Sequence, residues 1–139
     1  YSNTGRSETN IDVFDWIKEI HDFGVGEVIL TSINNEGTRR GFDLNLFEKA
    51  SHKSKIPILA HGGTGEFDDV LKLFLNSDVS GIVIASAFHF NYYKKLLSKK
   101  SISHQGSTRH LAEKNYHNKI GFGIKELKNY LKTKKMEIR

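Results

Sequence analysis

A chain of 139 residues with 37% apolar content is long enough to bury a core and too apolar for a disordered segment. It has no cysteine, which excludes disulfides and thiolate metal sites and fits a cytoplasmic enzyme, and it has no apolar run near the roughly 18 residues of a membrane span. The net charge of +5, from 21 Lys and Arg against 16 Asp and Glu, is weighted toward expected helices in the last third; with no nucleic-acid motif beside it, it points to an anionic substrate or an acidic partner rather than to nucleic acid or a membrane.

Residues 1–10, YSNTGRSETN, are polar, lack the apolar run of a signal peptide and do not open on Met, so the chain reads as starting internally. Asn10 or Asp12 is placed to cap a helix whose apolar face is Ile11, Val13, Phe14, Ile17, Ile20 and His21, with Trp16 at its flank and Gly24 as its stop. Residues 27–32, EVILTS, have the continuous apolar centre of a strand covered on both faces. The loop INNEGTRRGFD that follows is long, polar and glycine-punctuated, which makes it a candidate for function. Thr38, Arg39 and Arg40 within it are either solvated residues or ligands for an anionic substrate.

Asp43 caps a short helix bearing Leu44, Leu46, Phe47 and Ala50. A second strand runs from Ile56 to His61, and a helix over 66–76 turns Phe67, Val70, Leu71, Phe74 and Leu75 inward. Residues 81–86, GIVIAS, form a third buried strand. AFHFNYYKKLLSKK opens as a helix directly behind it, about residues 99–121 are irregular, and 122–135 recover a helical pattern through Ile124, Leu127, Tyr130 and Leu131. His104, His110 and His117 lie too far apart in that irregular stretch for a compact metal site. The alternation of strand and helix predicts an α/β unit with a parallel sheet, of either barrel or doubly wound type.

The stretch IPILAHGGTG, residues 56–65, is the most pointed of these elements. It carries the only proline and ends in Gly62, Gly63 and Gly65, a strand-to-helix turn at which glycines permit positive φ and bring backbone N–H groups close to an anion. Two readings fit such a turn: a phosphate seat, or plain tight packing of backbone on backbone.

Three pieces in order, GVGEVILTSINNEGTRRGFD, IPILAHGGTGEFDDV and GIVIASAFHF, together resemble the cyclase subunit of imidazole glycerol phosphate synthase, and the likeness resumes in ELKNYLKTKKMEIR. The resemblance implies the C-terminal half of a (β/α)8 TIM barrel, strands six to eight with their helices, over residues 1–139 with an irregular insertion at about 99–121. It implies a lyase of histidine biosynthesis that takes ammonia from a glutaminase partner and closes an imidazole ring on a substrate carrying two phosphates. One phosphate is expected at Gly62, Gly63, Ala85 and Ser86, helped by the helix that starts near Phe88. Thr31 is expected to face the substrate through its hydroxyl.

The family's acidic loop residue matches Glu36, beside Gly37, within NEGT where the usual sequence is DGT; an auxiliary catalytic role is the most it implies. His61 stands where the family usually carries a small residue, and it either fills the barrel mouth or hydrogen-bonds the substrate. The family's two catalytic aspartates belong to strands one and five, so no residue of this chain is assigned the acid–base chemistry, and the 139 residues alone are expected to lack cyclase activity. No cofactor or metal is implied. Exposed strand edges and apolar faces predict self-association of such a half-barrel. Two alternatives accompany this reading: a cyclase-like paralogue serving the amidation of a surface-polysaccharide sugar, and a noncatalytic half-barrel that acts as an interaction module.

Overall fold

The computed structural model describes residues 1–98 and 121–138. The irregular segment expected at about 99–121, with His104, His110 and His117, lies outside the described residues except for Gly121. The described elements are α1 (Val13–Asp22), β1 (Val28–Thr31), α2 (Leu44–Lys53), β2 (Ile58–His61), α3 (Phe67–Asn76), β3 (Gly81–Val83), α4 (Ser86–Ser98) and α5 (Ile124–Thr133). The chain divides into two compact units, one of residues 1–64 with 68–83 and the other of residues 65–67 with 84–139.

The first unit is built on a parallel sheet of order β1-β2-β3. Val28 pairs with Ile58 and Thr31 with His61, while Leu59 pairs with Gly81 and His61 with Val83. Successive side chains alternate between faces, so Leu30, Ile58 and Ala60 share one face, and all three are buried. α2 packs against β2 and brings Phe47 and Ala50, both fully buried, to the core. α3 buries Val70 and Leu73.

α1 and α2 each start where a carboxylate satisfies free N–H groups. Asp12 Oδ1 accepts from Phe14 N at 2.8 Å and Asp15 N at 3.2 Å, and Asp43 Oδ1 accepts from Leu46 N at 3.1 Å. α1 lies beside α2, and the Lys53 ammonium sits 4.8 Å above the Phe14 ring, a cation–π contact that covers a half-buried aromatic.

Several expectations are corrected. The apolar stripe of α1 is narrow: only Ile17 is buried, while Ile11, ahead of the first helical turn, and His21 are exposed. In α3 it is Leu73, not Leu75, that turns inward, and Leu75 is 67% exposed. The strand expected over 81–86 ends at Val83. Its partner β2 stops at His61, and Gly62 and Gly63 leave the ladder at positive φ, so among the described residues the ladder ends at Val83, and Ser86 already opens α4. Finally, β1 is not covered on both faces. It is the edge of the described sheet, and Ile29, on the face shared with Thr31, Leu59 and His61, is 59% exposed.

The second unit is organised around Phe122, which is buried. Its ring lies 4.7 Å from that of Phe67 and 5.7 Å, edge-on, from that of Phe88, and Phe67 in turn stacks on Tyr130 at 5.2 Å. Ala87 and Tyr93 of α4 and Leu127 and Leu131 of α5 complete this core. Glu126 Oε2 reaches back to accept from Gly123 N at 2.8 Å, which caps α5. Ile124, expected on the inward face, is 55% exposed because it is the first residue of α5 and precedes the turn that packs.

Candidate functional site

Every expected site residue of the first unit lies at the C-terminal ends of β1 and β2 or in the turns that follow. The loop after β1 is held by its own hydrogen bonds. Asn35 N and Glu36 N both donate to Ser32 O, at 3.1 and 2.9 Å, and Thr38 N donates to Asn35 O at 3.1 Å. The Thr38 hydroxyl donates to the same Asn35 carbonyl at 2.7 Å and accepts from Arg40 N at 3.3 Å. The Asn35 side-chain amide then spans the loop, with Nδ2 donating to Gly41 O at 2.9 Å. Phe42, buried and edge-on to Phe47 at 5.8 Å, anchors the exit into α2. Arg39 adopts a left-handed backbone, φ +62, within this stitched segment.

The turn after β2 fits against that loop. Gly41 N donates to Gly63 O at 2.9 Å. Gly62 and Gly63 have φ of +101 and +104, values that L side chains rarely adopt. A Cβ on Gly62 would lie 2.8 Å from Ser32 O, and one on Gly63 would collide with the Gly41 carbonyl oxygen while sitting 3.0 Å from Asn35 Cβ. Tight backbone packing is thus an observed reason for both glycines. The two turns are interlocked, and Thr64, behind them, is buried.

Thr31 and His61 are register partners on adjacent strands, and Thr31 Oγ1 and His61 Nδ1 share a hydrogen bond at 3.0 Å. Both side chains are half-buried. The Thr31 hydroxyl, expected to face substrate, is therefore joined to the imidazole beside it, and His61 is oriented by that bond and by Ser32 N donating to its carbonyl at 3.0 Å. Glu36 and Gly37 are exposed on the loop, with the Glu36 backbone against Gly62. A cavity of about 620 Å³ beside the end of β1 is lined by Trp16, Leu30, Thr31, Ile33 and Leu46, among others, and of the expected site residues it includes Thr31.

In the second unit, Ala85 is exposed just ahead of α4, and Ser86 is the first residue of that helix. The helix therefore begins earlier than Phe88, and His89 N donating to Ala85 O at 3.0 Å closes its first turn. His89 is exposed with its ring near Phe90, at 5.8 Å. Among the described residues no group of three or more His, Asp or Glu is arranged to hold a metal ion, and no helix is long and apolar enough to cross a membrane.

Sequence reasoning does not single out Asn35. An asparagine in a polar loop reads as a turn former, and a side-chain bond to a carbonyl six residues on exists only in the folded loop.

The family model described as histidine biosynthesis protein matches residues 1–94. This chain belongs to the histidine biosynthesis protein family. The matched span encloses Thr31, Glu36, Gly37, His61, Gly62, Gly63, Ala85 and Ser86. Within the family, the chain is 37% identical over 106 residues to imidazole glycerol phosphate synthase subunit HisF of Leptospira biflexa, covering 76% of this chain and 42% of that protein. It is 39% identical over 104 residues to the same subunit of Nitrosopumilus maritimus, with 71% and 39% covered. The likeness to the subunit of Natranaerobius thermophilus is 33% over 139 residues, 100% of this chain and 44% of that protein. The chain thus spans about two fifths of the length of these curated relatives. The resemblance carried by the strand and glycine-turn motifs is to this cyclase subunit.

Proposed function

We propose that this chain is the C-terminal, phosphate-holding half of a (β/α)8 cyclase of histidine biosynthesis, the imidazole glycerol phosphate synthase type. The observation that carries the reading is the clustering of Thr31, His61 and the two interlocked turns at the C-terminal ends of parallel strands, within the stretch the family model matches. Ligands of parallel α/β folds bind at that end, where the turns and helix N-termini lie. Each unit, taken by itself, has a turn suited to an anion: in the first the Gly62–Gly63 turn offers backbone N–H groups, and in the second the Ala85–Ser86 turn does so at the start of α4, where the helix dipole adds to the attraction.

Thr31 and His61 contribute a linked hydroxyl and imidazole, suited to hydrogen-bonding a sugar hydroxyl or a phosphate oxygen. Glu36 supplies an exposed carboxylate in an auxiliary role. The acid–base chemistry of ring closure belongs to carboxylates outside these 139 residues, and the ammonia comes from a glutaminase partner, in keeping with relatives named as subunits.

Two measurements test this. Titration of the 15N-labelled chain with inorganic phosphate is expected to shift the Gly62, Gly63, Ala85 and Ser86 amides; unshifted signals at millimolar phosphate would remove the phosphate assignment. An assay of the chain alone with ammonia and the phosphorylated aminoimidazole carboxamide ribonucleotide is expected to give no turnover. Turnover would show that the catalytic groups are present here after all.

A further inference from the structure

The geometry points to Asn35 as a positioning residue: its side-chain amide holds Gly41 where Gly41 can clamp the Gly62–Gly63 turn. The inference rests on the phosphate reading of that turn, but it concerns a residue that the reading does not use. Asn35 Nδ2 donates to Gly41 O at 2.9 Å, and from the same residue Gly41 N donates to Gly63 O at 2.9 Å. A single residue, Gly41, therefore carries both the Asn35 bond and the bond that joins the two turns. The amide side chain is part-buried, and its Cβ closes the space beside Gly63, where an added methyl would meet it at 3.0 Å.

The rest of the loop is organised to present this amide. Asn35 N is tied to Ser32 O, and Asn35 O takes both the N–H and the hydroxyl of Thr38, so the residue's backbone is restrained on both sides. Ser32 is itself bonded through its N–H to His61 O. A chain of direct bonds thus runs from the His61 strand end through Ser32 and Asn35 to Gly41 and back to Gly63. An aspartate at position 35 has the same shape, but it carries an acceptor where Gly41 O needs a donor. The Thr38 hydroxyl already serves Asn35 O.

The test compares the full chain with Asn35→Ala and with the isosteric Asn35→Asp, using amide hydrogen exchange and inorganic phosphate titration followed by NMR. Loss of one hydrogen bond is expected to speed exchange of the Gly41 amide by roughly five- to tenfold in both variants. The β1 and β2 amides are expected to exchange as in the unaltered chain, and phosphate affinity is expected to fall several-fold. A residue that merely stabilised the fold would instead loosen the strands along with the loop.

Unchanged Gly41 exchange in a folded variant overturns the inference. So does a general loosening of the strands with phosphate affinity preserved. If the unaltered chain binds no phosphate, the proposed function loses its phosphate assignment, while the Gly41 exchange still decides the role of Asn35. If Asn35→Ala does not fold, Asn35→Asp carries the comparison.

Discussion

Replacing Gly63 by alanine tests the interlocking of the two turns most directly. The new Cβ would run into the Gly41 carbonyl oxygen and lie 2.8 Å from that carbonyl carbon and 3.0 Å from Asn35 Cβ. The obstructing atoms are backbone or held by hydrogen bonds, so no side-chain rotation relieves the clash. The loop must lift off the turn. That breaks the Gly41 N to Gly63 O bond, at a cost of about 1 kcal/mol. Keeping φ at +104 with a side chain adds roughly 1–3 kcal/mol of strain. The sum is on the order of 2–4 kcal/mol, a large share of the roughly 5–15 kcal/mol that stabilises a domain.

Gly37→Ala is the control. It has φ +70 and open space around its Cβ, so conformational cost alone applies, about 1–2 kcal/mol. Urea unfolding followed by circular dichroism measures both. Gly63→Ala is expected to lower the midpoint clearly more than Gly37→Ala, and equal losses would refute the close approach of the two backbones.

Three further outcomes follow from the first unit. Phe47→Ala empties a fully buried site against Phe42 and is expected to cost about 3–5 kcal/mol in the same unfolding experiment. Asp43→Ala removes the acceptor for Leu46 N and is expected to cost about 1 kcal/mol; a change below the error of the measurement would argue against the cap. Ile29→Lys places a charge on the 59% exposed position of the open sheet face. Sedimentation velocity is expected to show less self-association than the unaltered chain, with stability within about 0.5 kcal/mol of it.

Local order left clear marks in the sequence. Asp43 and, of the two candidates Asn10 and Asp12, Asp12 cap the helices they precede, since a short carboxylate just before an apolar period can accept from the free N–H groups of the first turn. The apolar runs became the three parallel strands, and the motifs they carry pointed to the family whose model covers residues 1–94. Burial was less legible. Leu73 and Leu75 differ by half a turn on one helix, and which of them faces the core is a matter of packing, which left Leu75 67% exposed. Ile29 reads as core by composition and is open because it points to the sheet face opposite buried Leu30.

The glycine turn divides the same way. The residues alone showed that the backbone after His61 could bend at positive φ, because Gly62 and Gly63 permit it and His61 ends the apolar run. Only the tertiary structure decided what the glycines make room for: the Ser32 carbonyl over one and the Gly41 carbonyl over the other. Likewise Thr31 and His61 stand 30 residues apart in the chain and meet at 3.0 Å through strand register, and Asn35 becomes informative only through the carbonyl it reaches. Propensity and periodicity act over a few residues, whereas hydrogen bonds between turns depend on which strands lie side by side.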